Sequence, residues 1–264
     1  MIFEVTRPLG NDFFEWAYYL LVVYWPLFFN GIKFTLLVAI TGTVIGLIIG
    51  LIVGGVRANK INPTDATVVK CFKKFLHILS AVYIEVFRGT PMMVQAVFIY
   101  YSLKPVLQWS PLVCGIFVVS INTGAYMAEI VRSGIQSVPI GQSEAALSLG
   151  MTPSQSMFNV VLPQAIRNAF PAIGNEFVVN IKDSSVLNVI SVTEIFFQAK
   201  SIGGTFYKFT EAYFVCACVY LVLTLSITWI LGRIEKRMDS PINVIGSQTV
   251  PKAIIQNKRR LSHE

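Results

Sequence analysis

Gly141-Gln-Ser-Glu144-Ala-Ala-Leu-Ser-Leu-Gly150-Met-Thr-Pro153-Ser-Gln-Ser-Met-Phe-Asn-Val-Val-Leu-Pro163 is a polar island in an apolar chain. Glu144, Ala145, Ala146 and Leu147 favour a helix, and Gly150 falls where a helix ends by turning left-handed. A second helix is predicted to begin at once. Thr152 can cap it, Pro153 suits its first position, and Gln155 completes a Thr-x-x-Gln capping box. Pro163 then marks the next break. By spacing alone this is an ordinary helical hairpin packed on its own protein.

The chain around it is a membrane protein by composition. Of 264 residues, 54% are hydrophobic and only 13% charged, with a mean hydropathy of +0.63, too apolar for an ordinary soluble domain. The formal net charge of +7 is spread beside apolar spans rather than gathered on one helix face, so it reads as a topology signal and not as a nucleic-acid surface. Cys71, Cys114, Cys216 and Cys218 form no Cys-x-x-Cys pair, which argues against a disulfide or a metal site. His77 and His263 are isolated, and no nucleophile and base stand together, so no enzymatic chemistry is expected. No Gly-Lys dipeptide occurs, hence no phosphate-cradling P-loop. The first residues, with Glu4, Asp12 and Glu15, lack the basic start of a cleavable signal peptide.

Taken in order, residues 1–28 read as an N-terminal interfacial segment: Trp16 to Phe29, aromatic-rich and interrupted at Pro26, suits a helix lying at the membrane surface, the alternative being a sixth spanning helix. Phe34 to Val56 carries no charge and is long enough to cross. Gly42, Gly46, Gly50 and Gly54 recur along it on one face, a packing stripe for a helix of this chain or of a second subunit. Arg57, Lys60, Lys70, Lys73 and Lys74, with Asn62-Pro63, fill a loop that the positive-inside rule places in the cytoplasm, so the N-terminus lies outside. A second span, about Phe75 to Leu103, is interrupted at Gly89-Thr90-Pro91, beside Glu85 and Arg88, which can neutralise one another as a structural ion pair. Pro111 to Ala128 is the third, with Asn122, Thr123 and Tyr126 on or near one face. These can line a polar surface or bond between helices.

A fourth span, about Ala169 to Phe197, holds Glu176 and is cut by Lys182-Asp183-Ser184-Ser185. Freed backbone groups at such a break can meet a charged ligand at membrane depth; the alternative is a surface loop between two short helices. Lys200 to Lys208 reads as an outer loop, and Ala212 to Gly232 as the last span, closed by Arg233, Lys236 and Arg237. The expectation is an all-α membrane protein of about five transmembrane helices, N-terminus outside and C-terminus inside, with a cytoplasmic tail at residues 239–264.

Glu144-Ala145-Ala146, Gly150 and Val160-x-Leu162-Pro163 together resemble the cytoplasmic coupling loop of the membrane subunits of ATP-binding-cassette importers. Two further stretches resemble a narrower group, the permeases for polar amino acids of the histidine, glutamine and arginine type. They are Tyr83-Ile-Glu85-Val-Phe-Arg88-Gly89-Thr90-Pro91-x-x-Val94-Gln95 and Gly124-Ala-Tyr126-x-Ala-Glu129-Ile-x-Arg132-x-Gly134-Ile-Gln136-Ser-Val-Pro139. The resemblance covers residues 29–238, with the coupling loop at about 139–163.

That resemblance implies a multi-pass subunit of a bacterial cell membrane, paired with an identical or similar permease subunit. It also implies two cytoplasmic ATPase subunits, which bind ATP and Mg, and an external amino-acid-binding protein. Glu144, Ala145, Ala146 and Gly150 would form the helix that docks on the ATPase. An amino acid needs a cation or helix N-terminus for its carboxylate and an acidic or carbonyl group for its ammonium. Lys182, Asp183, Ser184 and Ser185 supply these types, with Asn122, Tyr126, Glu129 and Glu176 as further contacts. Three rivals remain open: an importer subunit for another small solute, an ion-coupled secondary transporter, which would normally need more spans and an internal repeat, and a membrane scaffold.

Overall fold

The computed structural model describes residues 7–58 and 66–238; the expected tail, Lys60 and Asn62-Pro63 lie outside them. Every regular element among the described residues is helical. The order is α1 (Phe13–Val23), α2 (Trp25–Ala58), α3 (Thr67–Gly89), α4 (Met92–Leu107), α5 (Pro111–Ser137), α6 (Ile140–Ser148) and α7 (Pro153–Ser156). A π-helical turn (Met157–Val161) then leads into α8 (Leu162–Asp183), a 3-10 segment (Ser184–Ile190), α9 (Ile195–Phe206) and α10 (Phe209–Met238).

Three helices, α2, α5 and α10, are long and apolar enough to cross a membrane. At about 1.5 Å per residue, the 34 residues of α2 exceed the roughly 30 Å hydrocarbon core.

The centre of the fold is α2 against α5, and the glycine stripe explains why. Lipid is as apolar as leucine, so helices in a bilayer associate through close packing rather than through the hydrophobic effect. A Cβ on Gly42 would lie 2.5 Å from Val119 Cγ1, and one on Gly46 would lie 2.8 Å from Thr123 Cγ2. The stripe therefore faces α5 of the same chain, which decides the question the spacing left open. The opposite side of α2 exposes Ile40, Val44, Ile48 and Ile52. Asn180 of α8 locks onto the pair: its amide donates to Thr43 Oγ1 at 2.8 Å, and its Oδ1 accepts from Thr123 at 3.0 Å.

Several expectations are corrected in detail. Pro26 opens α2 instead of breaking a surface helix, because a proline in the first turn has no helical N–H to lose. The aromatic segment before it is a separate helix whose Trp16 and Leu20 are buried in a cluster with Ile195, Ile202 and Val215. Lys70, Lys73 and Lys74 stand in the first turns of α3, not in a loop. Lys200 to Phe206 is helix, not loop. Gly203 there lets Phe209 and Ala212 approach to 3.1–3.3 Å of where its Cβ would be, so its smallness serves packing and not chain reversal.

The hairpin forms as read. Thr152 and Gln155 make the reciprocal capping box, with Pro153 in the first turn, and Gly150 has φ +85°. Pro163 is not a break, however. Residues 153–183 run as one helical rod, and the π turn just before Pro163 absorbs the proline: Leu162 donates five residues back, to the Met157 carbonyl. Widening one turn moves the ring away from a carbonyl that it would meet in a regular α-helix.

Candidate functional site

The break between α3 and α4 builds the polar centre of the molecule. Ending one helix at Gly89 and starting another after Pro91 frees carbonyls that lipid cannot satisfy. Side chains do so instead. Gln95 Nε2 donates to the carbonyls of Phe87 and Thr90, both at 3.0 Å, and to Thr90 Oγ1 at 2.8 Å. Asn122 Nδ2 of α5 donates to the Phe87 carbonyl at 3.1 Å and to Gln95 Oε1 at 2.9 Å. A buried amide pair thus holds the break open on one side.

Against the same break lies a cavity of about 550 Å³, lined by Arg88, Asn122, Tyr126, Glu176, Asn180 and Asp183 among others. Glu176 and Asp183 are seven residues apart on α8, two turns on one face. The Arg88 guanidinium lies 5.2 Å from the centroid of the Tyr126 ring, a cation–π contact. Arg88 and Tyr126 also line a second cavity of about 410 Å³, with Glu129, Arg132, Ser133 and Asn168, toward the end of α5 that leads into α6. The two sites therefore share one arginine and one aromatic wall.

Four expected contacts thus meet in the first cavity: Asn122, Tyr126, Glu176 and Asp183. Glu129 lies in the second, where it accepts from Arg57 at 2.9 Å and from Arg132 at 2.7 Å; its carboxylate ties α2 to α5. The run Lys182 to Ser185 does not act as one patch, because a helix turns about 100° per residue and neighbours face apart. Lys182 and Ser185 line a third cavity of about 380 Å³ with Tyr213 and Tyr220, while Ser184 is buried and donates to the Ile181 carbonyl at 2.8 Å. Nor is there a Glu85–Arg88 ion pair. Both side chains are exposed, and Arg88 turns to Tyr126, where it meets a ring face instead of a carboxylate.

Three contributors escaped the reading of the sequence: Arg88 as a lining residue, Gln95 and Asn180. The signal for the amides was present. A carboxamide inside an apolar helix must find partners, and Gln95 stands one turn beyond a proline break, where carbonyls are free.

In the hairpin, Ala146 is buried, while Glu144, Ala145 and Gly150 are exposed. Ala146 is 4% exposed, and the hydroxyls of Ser143 and Ser156 hydrogen-bond at 3.2 Å between the two arms. Its root is a cluster of Val138, Val161 and Ala165, joining the end of α5 to the start of α8. The hairpin also exposes Ile140, Leu147, Leu149 and Phe158; Ile140 and Leu147 stand four before and three after Glu144, on its side of α6.

Comparison with known proteins gives the family of the chain. Residues 66–240 match the family described as "Binding-protein-dependent transport system inner membrane component", and the chain belongs to that family. It is 36% identical over 231 residues to the probable amino-acid permease protein YxeN of Bacillus subtilis (strain 168), covering 86% of this chain and 97% of that protein. It is 34% identical over 217 residues to the glutamine transport system permease protein GlnP of Escherichia coli (strain K12), covering 81% and 93%. A solved structure described as an amino acid ABC transporter with histidines superposes with a TM-score of 0.74 at 36% identity, over 87% of this chain and 100% of that one. The MetNI methionine ABC transporter, at 20% identity and a TM-score of 0.67 over 82% and 98% of the two chains, shares the fold.

Proposed function

We propose that this chain is the transmembrane subunit of an ATP-driven, binding-protein-dependent importer of polar amino acids in a bacterial cell membrane. The family and the permease relatives support the class, and the exposed hairpin carries the mechanism. α6 is a short helix packed against the π turn of the 153–183 rod, with Ala146 buried. A motion imposed on it passes to α5 and α8, two of the helices that wall both cavities. Glu144, Ala145, Ala146 and Gly150 present a carboxylate among apolar side chains, the kind of surface that enters a groove on a partner and meets a cation there. ATP and Mg are bound by two separate ATPase subunits. A second permease subunit, identical or similar, completes the pathway, and an external binding protein delivers the amino acid.

The chain crosses five times, as α2, α3 with α4, α5, α8 with the 3-10 segment and α9, and α10, with its N-terminus outside and the hairpin inside. The cavity of Arg88, Tyr126, Glu176 and Asp183 receives the amino acid, with Arg88 for the carboxylate and an acidic side chain for the ammonium.

Co-purification tests the coupling contact. The tagged chain, extracted in mild detergent, is expected to bring down an ATPase subunit, and Glu144→Arg to lose it while remaining in the membrane. An ATPase retained equally by the variant would move the contact away from α6.

A further inference from the structure

We propose that the first three turns of α3 form a docking surface for anionic phospholipid headgroups of the cytoplasmic leaflet, with Lys70, Lys73 and Lys74 meeting the phosphates. The inference rests on the orientation proposed above, which puts the α2–α3 connection on the side of the hairpin.

The 23 residues of α3 and the 16 of α4 make about 60 Å of helix at about 1.5 Å per residue, against a hydrocarbon core of roughly 30 Å. A pair that makes one crossing therefore leaves several turns at or beyond the membrane boundary. Burial tells which turns these are. Ser80 and Ile84 are the buried residues of α3, both in the half that leads to the break, and residues 67–79 contribute no buried side chain.

Those turns divide by face. Val68, Phe72, Phe75 and Leu79 recur at four- and three-residue steps along one side and are 81%, 61%, 61% and 55% exposed. Lys70, Lys73 and Lys74, joined by His77, follow the same steps on the opposite side. No acidic residue stands between Thr67 and Ile84. A wholly aqueous setting would leave the apolar side in water, and a wholly apolar one would strip the lysines of water. A leaflet surface meets both needs: acyl chains take the apolar side, and the flexible lysine stems reach phosphates. Basic clusters beside a span draw anionic lipids in this way. The contact anchors the far end of the helix that supplies Arg88 to both cavities.

Cys71, which is exposed, offers a reporter inside the segment once the other exposed cysteine, Cys218, is replaced by serine. A bimane on Cys71 of the complete complex in nanodiscs is read for quenching by lipids brominated in their acyl chains. Brominated phosphatidylglycerol, diluted into phosphatidylcholine, is expected to quench at least about twofold more than brominated phosphatidylcholine at the same mole fraction. Salt at about 1 M, where the Debye length is about 3 Å, should remove the difference. So should the triple variant Lys70→Gln, Lys73→Gln and Lys74→Gln, with co-purification of the ATPase reporting that its complex is intact; if it does not assemble, the salt arm on the wild type decides.

Equal quenching by the two lipids overturns the selection of anionic headgroups. Quenching by neither gives the face to a protein partner and overturns the inference outright. A preference undiminished by salt, or by the triple variant, overturns the role of the lysines. The orientation is tested apart: labelling of Cys71 by an impermeant maleimide from outside intact cells would overturn it, whereas a nanodisc offers both leaflets and the quenching ratio is blind to which one is met.

Discussion

A Cβ placed on Gly50 would lie 2.8 Å from the Met127 carbonyl carbon and 3.0 Å from the Ala128 nitrogen. Backbone cannot step aside as a side-chain tip can, so Gly50→Ala must push α2 away from α5. A loss of about 1–3 kcal/mol is expected, visible as a lowered midpoint of thermal unfolding in detergent. Gly55, with nothing within 4 Å of its Cβ position, is the control, where alanine should be neutral or mildly stabilising.

Gln95→Leu keeps the bulk of the side chain but strands the Thr90 carbonyl and one N–H of the Asn122 amide. Leaving such groups unpaired costs about 1–3 kcal/mol, so the same assay should show a drop of similar size. The glycine stripe was legible because its four-residue spacing is local. Its partner was not, because spacing on one helix carries no address of the helix it meets. For Gln95 and Asn180 the need for partners was legible, but the partners on other helices, Asn122, Thr43 and Thr123, were not.

Among the elements, the hairpin was the most legible, because capping boxes and left-handed glycines are set by residues three or four positions apart. Gly150→Ala tests it cleanly. Nothing lies within 4 Å of the added Cβ, but φ is +85°, so the cost is backbone strain alone, about 1–2 kcal/mol. That strain should loosen the angle between the two arms. Binding-protein-stimulated ATPase activity is expected to fall while the membrane level of the chain stays the same.

The continuation beyond the hairpin was misread in an instructive way. A proline in sequence signals a break, yet the Met157–Val161 π turn gives the chain a second solution that keeps the rod intact. Likewise, the polar run Lys182 to Ser185 reads as one patch on paper, and the helical twist distributes it over two cavities and a buried hydroxyl. Of the ionisable residues that line the first cavity, Glu176 and Asp183 were among the expected contacts and Arg88 was not; which residues face one another depends on rotation around α8 and on the direction Arg88 takes.

For the molecule as a whole, the two cavities, the α5–α8 pair that walls them and the hairpin at its root form one connected body. α5 reaches from Asn122 at the helix break, past Tyr126 and the Arg57–Glu129–Arg132 ion pairs, to the chain that enters α6. A displacement of α6 therefore bears on the cavity walls without an intermediate element. The most direct test is uptake of radiolabelled amino acid by proteoliposomes containing the complete complex, with binding protein outside and ATP within. Uptake is expected to require ATP and to be lost in Glu144→Arg and in Arg88→Ala. Uptake by this chain alone, driven by an ion gradient and indifferent to ATP, would contradict the account.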